Sequence, residues 1–443
     1  MTLKDNFPEK QGLGYFEKYL PLKMGYSIEN VAKDIGISKG NLSEIENGKR
    51  VMRFELFKQF LSVYKIPFNL NPEPYGVVRN LLDKLMQAFL YRDLPQEKII
   101  ELRIRERESQ FEASFACLYL LMIKVYFAYL PDWKPEGEEA IHYIHQVFDF
   151  YQCDEKALIL FSEGLLTARK KKYKEAVTIY RRALQEMDRM LWPQLEGIIQ
   201  MNLGICTSRA ISFAQGAEIS RLAKENFLKY GNYYRMIMAY NNELLYLAWM
   251  QGYDTALEHF DEIIQSKAVF KNQIAFEKAV KNKIVVLVLS EDFNKAVELM
   301  KSYPEAAQSA ISDFILYPYC WIRLDRRVQA VDSLVRLEKC RLDPDESLFL
   351  ELLKADLLDN RDLFEKAKYK MVQYCISTSN WGFLMIVFQY LIYYYIKLDD
   401  KDFLIEAYKQ YNLVLRHQFP EVSPFPKRTE SKEPGNRVVP AGE

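Results

Sequence analysis

Between Gly14 and Lys65 the apolar residues recur three and four apart in four short runs. Leu13, Phe16 and Leu20 mark the first run, Val31, Ala32 and Ile35 the second, Leu42 and Ile45 the third. Phe54, Phe57, Phe60 and Leu61 mark the fourth. That spacing puts each run on one face of a helix and predicts a small four-helix unit over residues 8–66. The stretch from Ile66 to Pro74 then meets proline three times, which interrupts helical hydrogen bonding and predicts a linker over 67–78. Helical periodicity resumes and continues, element after element, through a body predicted over 79–419. The last segment, 420–443, holds five prolines and few large apolar residues, and a disordered tail is expected there. The fold class is all-α.

A small residue returns through the body at Ala140, Ala176, Gly216, Ala256, Ala296, Ala330, Ala367 and Ala407, in steps of 36, 40, 40, 40, 34, 37 and 40. In five of these units an aromatic stands three places earlier: Tyr173, Phe213, Tyr253, Phe293 and Phe364. The clearest unit reads Gly164, Tyr173, Ala176, Tyr180, Ala183. Antiparallel helices approach closely only where small side chains face each other, so a regular small residue predicts stacked helix pairs. The pattern is similar to the tetratricopeptide repeat, and this resemblance implies a right-handed helical solenoid whose concave face is lined by the first helix of each pair.

Residues Ser27 to Arg50 carry the densest local signal. Ser27 and Ser38 stand where helix N-caps are needed, with Asn30 three residues after the first. Gly36 supplies a turn of positive φ, Ile37 plugs the core, and Asn47-Gly48 ends the third helix. Ala32 must be small where the two helices cross. The pattern resembles the lambda-repressor-type (Cro/C1, XRE) helix-turn-helix. That resemblance implies a third helix in the major groove, with Lys39, Gly40, Asn41 and Glu44 at base edges. Ser27, Ser38, Asn47, Lys49 and Arg50 then fall on phosphates. Two positions depart from the pattern. Ile28 stands where many members place a phosphate-clamping Gln, and Gly40 offers a base no side chain.

Charge sharpens this picture. Lys and Arg balance Asp and Glu at 60 each over 443 residues, so nucleic acid must be met by a local patch. Residues 1–66 hold 11 Lys/Arg against 8 Asp/Glu, a net of +3. The segment from Glu101 to Glu108 reads as a solvated charged face.

In the body, Asn202, Asn242 and Asn282 repeat at the same register, 40 residues apart. The tetratricopeptide geometry points that position into the groove. An asparagine amide both donates and accepts, so a ladder of them can hold a peptide backbone regardless of its side chains. Lys278 and Lys281 are expected on the same face, ready for a carboxylate. Asn241, Leu245 and Trp249 are expected to extend it, with Trp249 as an apolar anchor. Trp381, Tyr393 and Tyr394 read as core or dimer contacts.

No catalytic residues, metal site or cofactor is expected. The six cysteines form no C-x-x-C pair, there are four histidines, and neither a P-loop nor a dinucleotide-binding glycine motif is present. Scattered single cysteines read as small core residues of a reduced cytoplasmic protein. The polar stretch Met1–Gln11 does not read as a signal peptide. The apolar stretches Phe115–Leu130 and Phe383–Ile396, interrupted by Lys124 and Gln389, read as buried helices. A helix-turn-helix head on a tetratricopeptide-like body resembles the architecture of the peptide-responsive quorum-sensing regulators of Gram-positive bacteria (the Rgg, PlcR, NprR and PrgX kind). The resemblance implies a homodimer that binds double-stranded operator DNA and is switched by a short signalling peptide. The alternative is a ligand-blind repressor or scaffold whose solenoid only dimerises or holds a protein partner.

Overall fold

The computed structural model describes residues 12–266, 273–302, 315–340, 342–417 and 419–423. Residues 8–11 of the expected head and 424–443 of the expected tail lie outside them. The described residues are helical, without a β-strand, and contain a single isolated bridge between Asn69 and Ser114. They divide into two compact units, one of residues up to 211 with 215–243, the other of residues 212–214 with those from 244 onward.

The first unit begins with α1 (Leu13–Lys23), α2 (Ile28–Asp34), α3 (Lys39–Glu46) and α4 (Phe54–Val63), the four helices that the apolar spacing predicts. Their inner faces meet as expected. Phe16, Val31, Ala32, Ile35, Leu42, Ile45, Phe57, Phe60 and Leu61 are all buried. Phe54 departs from this, standing at the surface with the Lys58 ammonium 4.6 Å from its ring centre. It heads α4 one turn before Phe57, where no neighbouring helix covers it.

The head is docked, not loosely tethered. Phe16 packs edge-on against Phe115 and Phe150, at 5.3 and 5.5 Å between ring centroids, and Phe57 lies 6.0 Å from Phe115. Asn69 donates its backbone N–H to the carbonyl of Ala113 at 2.7 Å. The expected linker 67–78 is correspondingly shorter: α5 (Glu73–Tyr91) starts inside it, with Pro74 near its N-terminus, where a missing N–H costs nothing.

Beyond α5 come α6 (Leu94–Glu106), α7 (Glu108–Glu112), α8 (Cys117–Phe127), α9 (Lys134–Ile144), α10 (Cys153–Arg169), α11 (Tyr173–Glu186), α12 (Leu195–Ala210), α13 (Phe213–Lys229) and α14 (Tyr233–Trp249). The Glu101–Glu108 segment is not a uniformly solvated face. Glu101 is buried and accepts the Trp133 indole N–H at 2.9 Å, while Arg105 stacks 3.4 Å over the same indole. The repeat residues do what their size requires. A Cβ built on Gly164 would lie 2.6 Å from the Tyr180 ring, so α10 and α11 touch through that glycine. A Cβ on Gly204 would lie 2.8 Å from the Ser220 hydroxyl.

The second unit continues the pairing: Tyr253–Gln265 (α15), Gln273–Leu289 with Phe293–Ser302, Leu316–Arg323 with Arg327–Leu337, Pro344–Leu357 with Arg361–Ser377, and Trp381–Lys397 with Lys401–Leu415. Ala256, Ala296, Ala330, Ala367 and Ala407 are all buried. Tyr173, Phe213, Tyr253 and Phe293 are each the first residue of their helix, which is why an aromatic precedes the small residue by three. Tyr394 stacks on Phe364, and Trp381 lies parallel to Phe419 at 4.5 Å, so both are core residues. Residues 419–421 form a short 3-10 turn and Val422 is buried, so the start of the expected tail is packed.

One feature of the turns escaped the sequence pattern. Nine described α-helices begin two residues after a residue of positive φ: Arg92, Lys171, Gly231, Gln251, Glu291, Asp325, Asp359, Ser379 and Asp399. Around them the chain folds back in paired bonds, for example Lys171 N–H to Ala168 and Lys172 N–H to Thr167, and likewise Glu291 to Val288 and Asp292 to Leu287. This is a Schellman ending in which eight of nine left-handed positions are not glycine. Of the cysteines, Cys117, Cys206, Cys320 and Cys375 are buried as expected, while Cys153 and Cys340 are exposed. No helix among the described residues is long and apolar enough to cross a membrane.

Candidate functional site

The first candidate site is the outer face of α3. Ser38 caps the helix, its hydroxyl accepting the Asn41 N–H at 3.2 Å, and Ser27 caps α2 in the same way toward Asn30 at 3.3 Å. Each hydroxyl still has its own proton to donate outward. Leu42 and Ile45 turn inward, so Lys39, Gly40, Asn41 and Glu44 are left exposed together. Gly36, at φ +75°, makes the turn between the helices, and Gly48, at φ +68°, ends the second of them. Behind Gly48 the chain wraps back, with the N–H groups of Lys49 and Arg50 both reaching the Glu44 carbonyl at 2.8 and 3.1 Å. That wrap holds Lys49 and Arg50, both exposed, beside the last turn of α3.

The polar side chains on this face are already engaged with one another. Arg50 donates from Nη1 to Oδ1 of Asn41 at 2.9 Å. Lys39 pairs with Glu29 in the first turn of α2, which holds the Glu29 carboxyl below its usual range. Asn47 donates to the Ser43 carbonyl at 2.8 Å and accepts from Lys18 at 3.3 Å. Lys18 and Glu29 were not legible as members of the face, because their partners lie 29 and 10 residues away in sequence. Behind it, Glu17 is fully buried with neither carboxylate oxygen bonded. Burial, reinforced by Glu46, pushes its carboxyl up to about 8.

The helix-turn-helix family model matches residues 19–70. Residues 19–70 are a helix-turn-helix domain. No curated protein matches the sequence. Among solved structures, several share the fold of a large part of this chain. The apo form of the quorum sensor NprR from B. thuringiensis aligns at 13% identity and TM-score 0.57, over 77% of this chain and 99% of that one. A Rap protein complexed with Competence and Sporulation Factor aligns at 12% identity and TM-score 0.61, over 80% and 100%. NprR in complex with its cognate peptide NprX aligns at 12% identity and TM-score 0.51, over 70% and 98%. The chain therefore combines a helix-turn-helix head with a tetratricopeptide-like body, the plan that its sequence resembles.

The second candidate site is the asparagine register, and here the structure departs from expectation in part. In the first unit Asn202 is half-buried and turns its amide back to the Ile198 carbonyl at 2.9 Å. Asn241 is fully buried, donating to the Ile237 carbonyl at 3.0 Å, so it does not extend an open face as expected. Asn242 is also buried, against the expectation of a solvent-facing amide. The register was counted from sequence spacing, and a one-residue rotation about α14 decides between surface and interior. In the second unit Asn282, Lys278, Lys281 and Leu245 are half-buried. Trp249 is half-buried too, but its own chain packs it. Phe213 lies 5.0 Å away, Tyr246 5.3 Å, and a Cβ on Gly382 would overlap its ring at 2.2 Å. It fills the unit's interior instead of standing as an open anchor.

Proposed function

We propose that the protein is a DNA-binding transcriptional regulator whose helical-repeat body senses a short linear peptide and thereby alters operator binding. The observation that carries this reading is the joint one. A helix-turn-helix head presents an exposed Lys39-Gly40-Asn41-Glu44 face flanked by Lys49 and Arg50, and it is built onto a body with the fold of the quorum sensor NprR. In this reading Ser27, Ser38, Asn47, Lys49 and Arg50 meet phosphates, and Lys39, Asn41 and Glu44 read bases. On DNA, Arg50 exchanges Asn41 for a phosphate and frees the amide for a base edge. The protein acts as a homodimer in the cytoplasm, because two heads are needed to read a palindrome.

In this reading Asn282, Lys278 and Lys281 are the peptide contacts of the second unit, and Asn202 is a candidate contact of the first, where Asn242 joins it only if its side chain is released from the interior. The Asn202 amide gives up its bond to Ile198 for a peptide carbonyl at little net cost, since one hydrogen bond replaces another.

The test has two arms. Selection from a random duplex library returns an enriched motif, with affinity falling steeply as salt rises because bound phosphates release counterions. Mass spectrometry of the protein purified from its host returns a co-purified short peptide whose addition changes operator affinity. No enriched motif refutes the DNA reading. Operator affinity indifferent to every peptide tested leaves a ligand-blind repressor, and a monomer in sedimentation refutes the dimer.

A further inference from the structure

The interior of the first unit follows a rule that one cavity breaks. Its sequestered cations have carboxylate partners: Arg79 pairs with Glu155, and Lys124 bonds Glu108 and Glu112 at 2.7 and 2.8 Å. A cavity of about 330 Å³ between α5, α6, α8, α10 and the start of α14 is lined instead by three arginines, Arg235 buried and Arg92 and Arg169 exposed at its rim, with one carboxylate, Glu97. None of the three arginines is ion-paired among the described residues. Arg235 is only 7% exposed, and its guanidinium meets main-chain carbonyls alone, Phe89 at 2.6 Å and Leu90 at 3.3 Å. Arg169 donates to the Tyr129 carbonyl at 2.7 Å. Arg92 makes only a ring contact, 5.8 Å over Tyr234. Glu97 forms no ion pair with them among the described residues; its Oε1 accepts from the Tyr126 and Tyr129 hydroxyls at 2.8 and 3.0 Å.

The lining therefore carries a net excess of two positive charges, and the one desolvated among them, Arg235, is where unbalanced charge is costly. Burial, with Arg92 as a like-charged neighbour, already pulls the Arg235 guanidinium below its usual range, as such an imbalance must. Two of the guanidiniums meet helix ends, and this accounts for some of their donors. Arg235 caps the last carbonyls of α5, and Arg169 reaches the Tyr129 carbonyl just beyond the end of α8. It does not account for Arg92, an exposed guanidinium with no protein acceptor among the described residues, or for the buried Tyr234 hydroxyl beside it, which also lacks one there. The rest of the wall is aromatic. Phe89 lies 5.8 Å from Phe161 and 5.4 Å from Tyr126.

We infer that this cavity is a binding site for a small organic anion: an oxyanion head, phosphate monoester or carboxylate, held by Arg92, Arg169 and Arg235, on a flat ring packed against Phe89 and Phe161. The guanidinium fork matches both kinds of head, and the volume falls in the range of small-ligand sites. None of its lining residues belongs to the helix-turn-helix face or to the asparagine register. The site stands or falls independently of the proposed function.

Isothermal titration of the full-length protein at low ionic strength tests it, with phenyl phosphate, phenylacetate, inorganic phosphate and neutral benzyl alcohol as probes. Phenyl phosphate or phenylacetate is expected to bind saturably, and whichever binds tighter identifies the head. Inorganic phosphate binds more weakly for want of a ring, and benzyl alcohol does not bind. Arg92→Gln is the chief variant, because this exposed side chain supports no helix end. It is expected to weaken binding about tenfold or more, the loss of one charge-assisted contact. Arg169→Gln acts in the same direction, and circular dichroism checks that both variants remain folded. The inference is overturned if neither aromatic anion binds saturably up to about 10 mM. It is equally overturned if binding occurs but is unchanged in both variants.

Discussion

Phe16, in the first helix of the head, meets Phe115 of the body edge to face, with centroids 5.3 Å apart and planes at 80°. Both rings are fully buried, and Phe150 closes the third side of the cluster. A head anchored through its own core residue cannot reorient without opening that core. Any signal in the neighbouring helices is therefore transmitted to the head as a change of packing.

Truncating this contact should be costly. Phe16→Ala and Phe115→Ala each remove a buried ring from two packed elements at once, and each is expected to lower stability by about 3–5 kcal/mol in urea unfolding. The double variant should lose less than the sum, because the two rings share one cavity. A loss under about 1 kcal/mol for either would mean that the head and body do not share this core.

Two glycines in the head should respond in opposite directions. A Cβ on Gly14 would lie 2.3 Å from the Ile45 carbonyl oxygen, so Gly14→Ala must force α1 from α3 and destabilise the head. Gly40 has nothing within 4 Å of the same position. Gly40→Ala is expected to stabilise α3 by up to about 1 kcal/mol, through helix propensity alone. Thermal melts of the two variants decide this, and a rise for Gly14→Ala would contradict the close approach.

The left-handed turn residues offer a separate test. Lys171 and Glu291 hold φ near +61° and +64°, where a side chain crowds the following carbonyl. Replacing either by Gly relieves that crowding but adds freedom to the unfolded chain. The balance is expected to favour the folded state by up to about 1 kcal/mol per site. Equal or lower melting temperatures would show that the lysine and glutamate side chains contribute contacts worth more than the strain.

Glu17 predicts a pH dependence. Its carboxyl is raised from 4.5 to about 8 by burial first and Glu46 second, so the folded state keeps a proton that the unfolded state releases. The stabilisation is complete below the unfolded value, declines as pH rises above it, and is lost once pH passes about 8. Glu17→Gln, neutral at every pH, should melt with a shallower fall than the parent between about pH 5 and about pH 9. Parallel curves would mean that Glu17 is solvated or paired.

Much of the head was legible because its signals are local. Ser27 and Ser38 cap helices a few residues away, Gly36 bends at a positive φ that side chains disfavour, and Ala32 and Leu42 lie on faces fixed by the helical repeat. The pairing of body helices was legible for a related reason. Ala176, Ala183, Ala256 and Ala296 recur because each unit must solve the same close approach. The turns between them were not, since Lys171, Asp325 and Asp399 are ordinary residues forced into the left-handed region by the helices they join.

Periodicity along the chain thus determined the helices, their pairing and the outward face of α3, because those depend on residues three or four places apart. Tertiary structure alone decided which asparagines are open, that Trp249 is filled from Phe213 and Gly382, and that Phe16 belongs to the core of the body. It alone gathered Arg92, Arg169 and Arg235 around one cavity. Such outcomes turn on contacts between residues tens to more than a hundred positions apart, and helical spacing carries no record of which face of one helix will meet which face of another.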